Sequence, residues 1–66
     1  MDSKEIDLAM KRQLPVMYEG KRYERILEYV MWYDRDRKRH LSAVLVQGNS
    51  TFRVPADKVT LAEEGA

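Results

Sequence analysis

Three residues in the middle of the chain have the side-chain types of an acyl-transfer site, namely Asp34, His40 and Ser42. Such a site needs a nucleophile, a base within hydrogen-bond reach and a sharp turn that exposes the nucleophile. Here His40 and Ser42 share one face of a predicted strand, and no glycine-rich turn is present. The acids Glu24 and Glu28 have no cleft in a domain of this size. We therefore predict no catalytic residues and no enzyme.

The sequence also lacks the residue patterns of a metal or cofactor site. The chain contains no cysteine and only one histidine, His40, so thiolate metal sites are excluded and a histidine cluster cannot form. The three glycines, Gly20, Gly48 and Gly65, are far apart and make no phosphate-binding loop. We predict no metal, no cofactor and no small-molecule substrate.

The segment YDRDRKRH, residues 33–40, has the highest density of charge. One interpretation is the tip of a β-hairpin that charge keeps in solvent, with Asp34 and Asp36 neutralising half of the basic side chains. The alternative is a weak, salt-dependent nucleic-acid contact, because guanidinium and ammonium groups suit phosphate oxygens. The residues for that contact would be Arg35, Arg37, Lys38 and Arg39, with Tyr33 beside them.

The long strand that precedes this segment is apolar on both of its faces. One face belongs in the core, and the other is predicted either to lie under the N-terminal helix or to bind a partner. Tyrosine, tryptophan and methionine are enriched in protein interfaces, which favours a contact surface. Stacking of single-stranded bases is a third interpretation. The residues predicted for a protein interface are Tyr29, Met31, Trp32, Tyr33, Val44 and Val46.

The elements that position these residues can be predicted from local signals. Asp2 and Glu5 have the spacing of a capping box, and a helix over about residues 3–13 should end before Pro15. Short strands follow over residues 15–18, 22–33, 41–47, 50–54 and 59–61, separated by turn residues. Tyr23 and Ile26 both belong in the core at an odd spacing, which predicts a bulge or bend near Arg25 that lets one strand serve two sheets. Residues 62–66 are expected to be a frayed tail.

The ending VPADKVTL, residues 54–61, resembles the last part of SH3 domains, where a strand runs into a proline, one helical turn and a final strand. The resemblance covers about residues 15–61 and implies a small SH3-like, five-stranded barrel with the helix as an addition. Lys58 stands where those domains carry a groove tyrosine, and the loop before their tryptophan is acidic rather than basic. The resemblance therefore implies the fold and not proline-rich peptide binding. The layout also resembles small uncharacterised proteins encoded by bacterial prophages and mobile elements.

Composition and charge limit the size of the core, the classes of partner and the cellular location that can be expected. A chain of 66 residues with 44% hydrophobic and 35% charged residues predicts one folded domain with a small core. The net charge of +1 draws the protein neither to nucleic acid nor to a membrane as a whole. The absence of a long apolar run and of a signal-peptide pattern predicts a cytoplasmic protein with no membrane partner.

Two functional hypotheses follow from the sequence. The first is a non-enzymatic accessory protein, of phage-derived type, that binds a protein partner or forms a homo-oligomer through the long strand. The second is a weak nucleic-acid-binding module that uses the basic hairpin loop of residues 33–40.

Overall fold

In the computed structural model, which describes residues 1–62, one helix precedes two small antiparallel sheets. The mainly β fold class with a short N-terminal helix is thereby confirmed. The elements are α1 (Ser3–Arg12), β1 (Val16–Tyr18), β2 (Lys21–Tyr23), β3 (Arg25–Tyr33), β4 (Arg39–Gln47), β5 (Ser50–Pro55), a 3-10 turn (Ala56–Lys58) and β6 (Thr60–Leu61).

The helix begins and ends by local side-chain and backbone chemistry. Asp2 Oδ1 accepts the N–H of Glu5 at 2.8 Å, and Glu5 Oε1 accepts the N–H of Asp2 at 3.4 Å, which confirms the capping box. Gln13 ends the helix in the left-handed conformation at φ 52°, two residues before Pro15. The helix therefore stops by its own cap before the proline is reached.

The strands form two sheets with the orders β2-β1-β6 and β3-β4-β5. The predicted bend in the long strand is confirmed, because the chain breaks at Glu24 into β2 in one sheet and β3 in the other. The break lies between Tyr23 and Ile26, which allows both to be buried, and a second irregularity shifts the β3–β4 register between Ile26 and Glu28. The break gives six strands where five were predicted. Within residues 1–62 no closed barrel is found, so the barrel stays a prediction.

The core lies between the inner face of the second sheet, the first sheet and the helix. Ile6 and Ala9 of α1 are fully buried and pack into one cluster with Ala43 and Leu45 of β4. The complete cluster of buried residues is Ile6, Ala9, Val16, Tyr23, Ile26, Ala43, Leu45, Val54, Ala56 and Val59.

The two ends of the described chain are both tied to the body. The Met1 ammonium donates to the carbonyl oxygens of Ala56 at 3.0 Å and Val59 at 3.2 Å. Ala62, the first residue of the expected tail, donates its N–H to the Pro15 carbonyl at 3.1 Å. The rest of that tail, residues 63–66, lies outside the described residues. The N-terminus and the end of β6 therefore help to hold the 3-10 turn and β1 in place.

Candidate interaction surfaces of the β3–β4 hairpin

The β3–β4 hairpin carries all of the residues that the sequence predicts for binding. Its outer half extends beyond the rest of its sheet, because the pairing of β4 with β5 ends at Ser42 and Pro55 while the pairing with β3 continues to Arg39. The longest dimension of the molecule, 43 Å, is about twice the other two, 24 and 21 Å. The hairpin thus has two strand faces, a loop and an edge of β3 that has no strand partner, and the helix α1 also packs on β3.

The six residues of the predicted protein interface are not brought together on one surface. In an antiparallel pair, residues directly opposite each other lie on the same face. Tyr29 is opposite the buried Ala43, so Tyr29, Met31 and Tyr33 extend the core face. Trp32 is opposite His40 and therefore lies on the outer face, which also carries Val44 and Val46.

The outer face is not covered by the helix, contrary to one of the three interpretations of the sequence. The buried residues of α1 pack with the core face, and Trp32 on the outer face is 40% exposed. Val44 and Val46 are half-buried, and Val44 lies in one row between Glu28 and Arg53. An apolar centre between charged flanks is the ordinary solvent face of an antiparallel sheet.

The extension of the core face carries three exposed large side chains. Tyr29, Met31 and Tyr33 are 39%, 48% and 60% exposed, and they lie on the strand that forms the margin of its sheet. Among the described residues β3 pairs only with β4, so its other edge has no strand partner. We call Tyr29, Met31 and Tyr33, together with this free edge, the β3 edge. Long apolar edge strands are templates for pairing with another chain.

The direction of the backbone groups along the β3 edge follows from the loop. The N–H of Asp34 donates to the carbonyl of Lys38 at 3.1 Å, and the hydrogen-bonded positions of an antiparallel pair recur every second residue. Trp32 and Val30 therefore point their N–H and C=O groups at β4. The N–H and C=O groups of Tyr29, Met31 and Tyr33 point away from it, at the free edge.

The loop at the tip is built around the carboxylate of Asp34. Its Oδ1 accepts the N–H groups of Asp36 at 2.8 Å and Lys38 at 3.0 Å, while its Oδ2 lies 2.8 Å from His40 Nε2. The contact with His40, followed by those with the loop N–H groups, holds the pKa of the Asp34 carboxyl below its usual value. Asp34 is thus a structural residue of the turn, and its negative charge is held by His40 and the loop N–H groups rather than in an ion pair with an arginine.

The basic side chains of the tip take no part in this arrangement. Arg35, Arg37, Lys38 and Arg39 are exposed, and none forms an ion pair within residues 1–62. Arg37 adopts φ 63°, the left-handed region in which glycine is favoured. The N–H of Arg37 donates to the Asp34 carbonyl at 3.0 Å, which closes the tight turn of the tip. The loop therefore presents four cations on a rigid turn.

The residues considered for acyl-transfer chemistry make other contacts. The Trp32 ring stacks on His40 with centroids 4.3 Å apart, and Trp32 Nε1 donates to Ser42 Oγ at 3.2 Å. They line part of a cleft of about 490 Å³ beside the outer end of β4, which Met1 and Asp57 also reach. His40 Nε2 is directed to Asp34 rather than to Ser42. These contacts connect the loop at Asp34 to strands β3 and β4.

Sequence reasoning missed the free edge of β3 and the internal role of Asp34. The spacing of apolar residues identified the strand but not which strand would lie at the margin of a sheet.

No helix in the described part of the chain is both long and apolar enough to cross a membrane. Comparison with protein-family models, with curated proteins and with solved structures gives no match.

Proposed function

We propose that this chain is a small non-enzymatic interaction protein that binds another protein at the β3 edge. The observation that carries the proposal is the coincidence of two features at the same three residues. Tyr29, Met31 and Tyr33 expose large apolar side chains and also direct their backbone N–H and C=O groups at a free strand edge. Addition of a strand uses both, because the backbone supplies hydrogen bonds and alternate side chains supply apolar contact.

The proposal includes an SH3-like barrel as the scaffold. It is supported by the strand orders β2-β1-β6 and β3-β4-β5, by the bend at Glu24 that divides one long strand between the sheets, and by the 3-10 turn between β5 and β6. An accessory role in a phage-derived assembly is proposed from the resemblance to small prophage-encoded proteins alone. The cytoplasmic location expected from the sequence is retained with it.

The experiment that tests protein binding is site-specific photo-crosslinking in cells that produce the chain. A photo-reactive residue at Met31 should give discrete adducts, and the matched residue at Arg53, which is exposed on the outer face of β5, should not. Lysine at both Tyr29 and Tyr33 should remove the Met31 adducts, since lysine side chains block edge pairing. Equal labelling from positions 31 and 53 would refute the β3 edge as the binding surface.

A second candidate function is nucleic-acid binding by the tip, and one observation favours it. The Asp34 carboxylate is engaged by His40 and by loop N–H groups, so among the described residues it forms no direct ion pair with any of the four cations, whose side chains stay exposed. Four phosphate contacts on duplex DNA would give a slope of log K against log salt of about −3.6. Such binding would be weak at physiological salt.

A charge-reversal experiment tests this candidate. The change Arg37→Glu with Lys38→Glu should abolish binding to a mixed-sequence oligonucleotide, measured by fluorescence anisotropy at low and high salt. The matched control is Lys4→Glu with Lys58→Glu, two exposed positions away from the tip with the same change in net charge. Binding that survives the first double change, or that both double changes abolish equally, would refute the tip as the contact.

A further inference from the structure

We propose that the β3 edge pairs with the β3 edge of a second copy of this chain, antiparallel and centred on Met31. The inference rests on the proposed function and names its partner. The joined sheet would have six strands, in which β3 of each copy lies at the centre. The two-fold axis would stand perpendicular to the sheet through the Met31 pair.

The backbone groups select this register. Three N–H and three C=O groups of each strand, at Tyr29, Met31 and Tyr33, point to the free edge. Centring the pair on Met31 places Met31 opposite its own copy and Tyr29 opposite the partner's Tyr33. All of these groups are then satisfied by about six inter-chain hydrogen bonds, with none left over. Centring the pair on Tyr29 instead would place Met31 opposite Leu27, where the β3–β4 register shifts.

The side chains match in the same register. The segment YVMWY, residues 29–33, meets its own reverse, so tyrosine meets tyrosine, valine meets tryptophan and methionine meets methionine. Every pair is apolar or aromatic, which is the type of cross-strand pair that stabilises sheets. Just beyond this segment, Glu28 of one chain comes opposite Asp34 of the other, so the favourable side-chain pairs are confined to residues 29–33. Glu28 is exposed, whereas Asp34 is half-buried and its carboxylate contacts His40 within the monomer.

The size of the contact predicts a weak dimer. Aromatic side chains carry about 150–250 Å² each. The exposed fractions are 39% for Tyr29, 48% for Met31, 40% for Trp32 and 60% for Tyr33. Together these side chains therefore expose roughly 400 Å² per chain that a dimer could bury. Stable complexes bury about 800 Å² per partner. The dimer should therefore dissociate on dilution.

Cysteine cross-linking tests the register, because the chain has no cysteine of its own. Hydrogen-bonded antiparallel partners have Cα atoms about 5.5 Å apart, within disulfide range, so Met31→Cys should form a disulfide dimer under mild oxidation. The two Tyr29 residues of the dimer would be displaced from each other by four positions, about 14 Å along the strands. Tyr29→Cys and Tyr33→Cys, each alone, should form disulfides at least tenfold more slowly, whereas an equimolar mixture of the two should cross-link to each other.

Other outcomes separate this inference from the proposed function. Equal rates for the three single cysteine variants would overturn the register and therefore the inference. Photo-adducts from Met31 to a different protein, without a Met31→Cys dimer, would also overturn it while leaving the proposed function intact.

A proline variant provides a second test that does not depend on cysteine. Met31→Pro removes only an N–H that faces the free edge, a position that edge strands tolerate, and so should stay folded by circular dichroism but sediment as a monomer at all concentrations. A folded Met31→Pro variant that still dimerises would equally overturn the inference.

Discussion

Arg37 occupies a backbone conformation that its side chain disfavours, and replacing it with glycine should stabilise the protein. At φ 63° a residue with a Cβ atom costs about 1–2 kcal/mol relative to the right-handed region. Glycine removes that cost but loses more conformational freedom on folding, about 0.5–1 kcal/mol. The net gain for Arg37→Gly should therefore be roughly 0.5–1 kcal/mol, which corresponds to an increase in Tm of about 2–8 °C in a domain of this size.

The matched variant Arg37→Ala isolates the backbone effect. It removes the same charge and keeps the Cβ atom, so its free energy of unfolding should stay within about 0.5 kcal/mol of the parent protein. Both free energies can be measured by urea unfolding at neutral pH, followed by the fluorescence of Trp32, the only tryptophan. A glycine variant no more stable than the alanine variant would refute the assignment of backbone strain at the tip.

Three further changes test the core, the helix cap and the tip. Leu45→Ala, at a fully buried position, should lower the free energy of unfolding by about 2–5 kcal/mol in urea, whereas Leu27→Ala, at 43% exposure, should cost much less. Asp2→Ala should cost about 1 kcal/mol in the same assay because the capping box is lost. Asp34→Asn should destabilise the protein at neutral pH, since the folded state holds the pKa of this carboxyl below its ordinary value of 3.8. A carboxyl whose pKa is lowered by folding stabilises the folded state at pH values above its ordinary pKa. This stabilisation is lost as the pH falls through the lowered pKa, so the free energies of unfolding of the two proteins should converge in acid.

Each of these changes has an outcome that would contradict the structure. Equal losses for Leu45→Ala and Leu27→Ala would place Leu45 outside the core. An Asp2→Ala variant as stable as the parent would show that the cap contributes nothing. A difference between parent and Asp34→Asn that stays constant from pH 7 to pH 2 would mean that the carboxylate does not stabilise the turn through its charge.

Local chemistry made much of the fold predictable. The capping box of Asp2 and Glu5 acts between residues three apart, and the turn between β1 and β2 needs only two residues with positive φ, Glu19 at 51° and Gly20 at 76°. The odd spacing of Tyr23 and Ile26 predicted the bend for the same reason: a strand alternates its faces, so both can be buried only if the alternation slips. The break lies at Glu24, next to the predicted position, and a second irregularity follows between Ile26 and Glu28.

The candidate surfaces depend on contacts that sequence spacing does not encode. Alternation alone separates Trp32 from Met31, but which face meets the helix depends on where Ile6 and Ala9 pack. The role of Asp34 was missed because counting charges treats every carboxylate as a counter-ion, whereas Asp34 is satisfied by backbone N–H groups and His40. The free edge of β3 depends on the order of strands in the sheet, a property of the whole chain.

The two surfaces of the hairpin are linked by geometry. In the pairing centred on Met31, each tip lies about five residues from the two-fold axis, and the tips point in opposite directions. At about 3.4 Å per residue the two basic loops would stand roughly 34 Å apart, close to one turn of duplex DNA. If both surfaces operate, Met31→Pro should weaken binding to a duplex longer than one turn, although it changes no charge, and should leave binding to a shorter duplex unaltered. Unaltered binding to both duplexes would mean that the edge and the tip act independently.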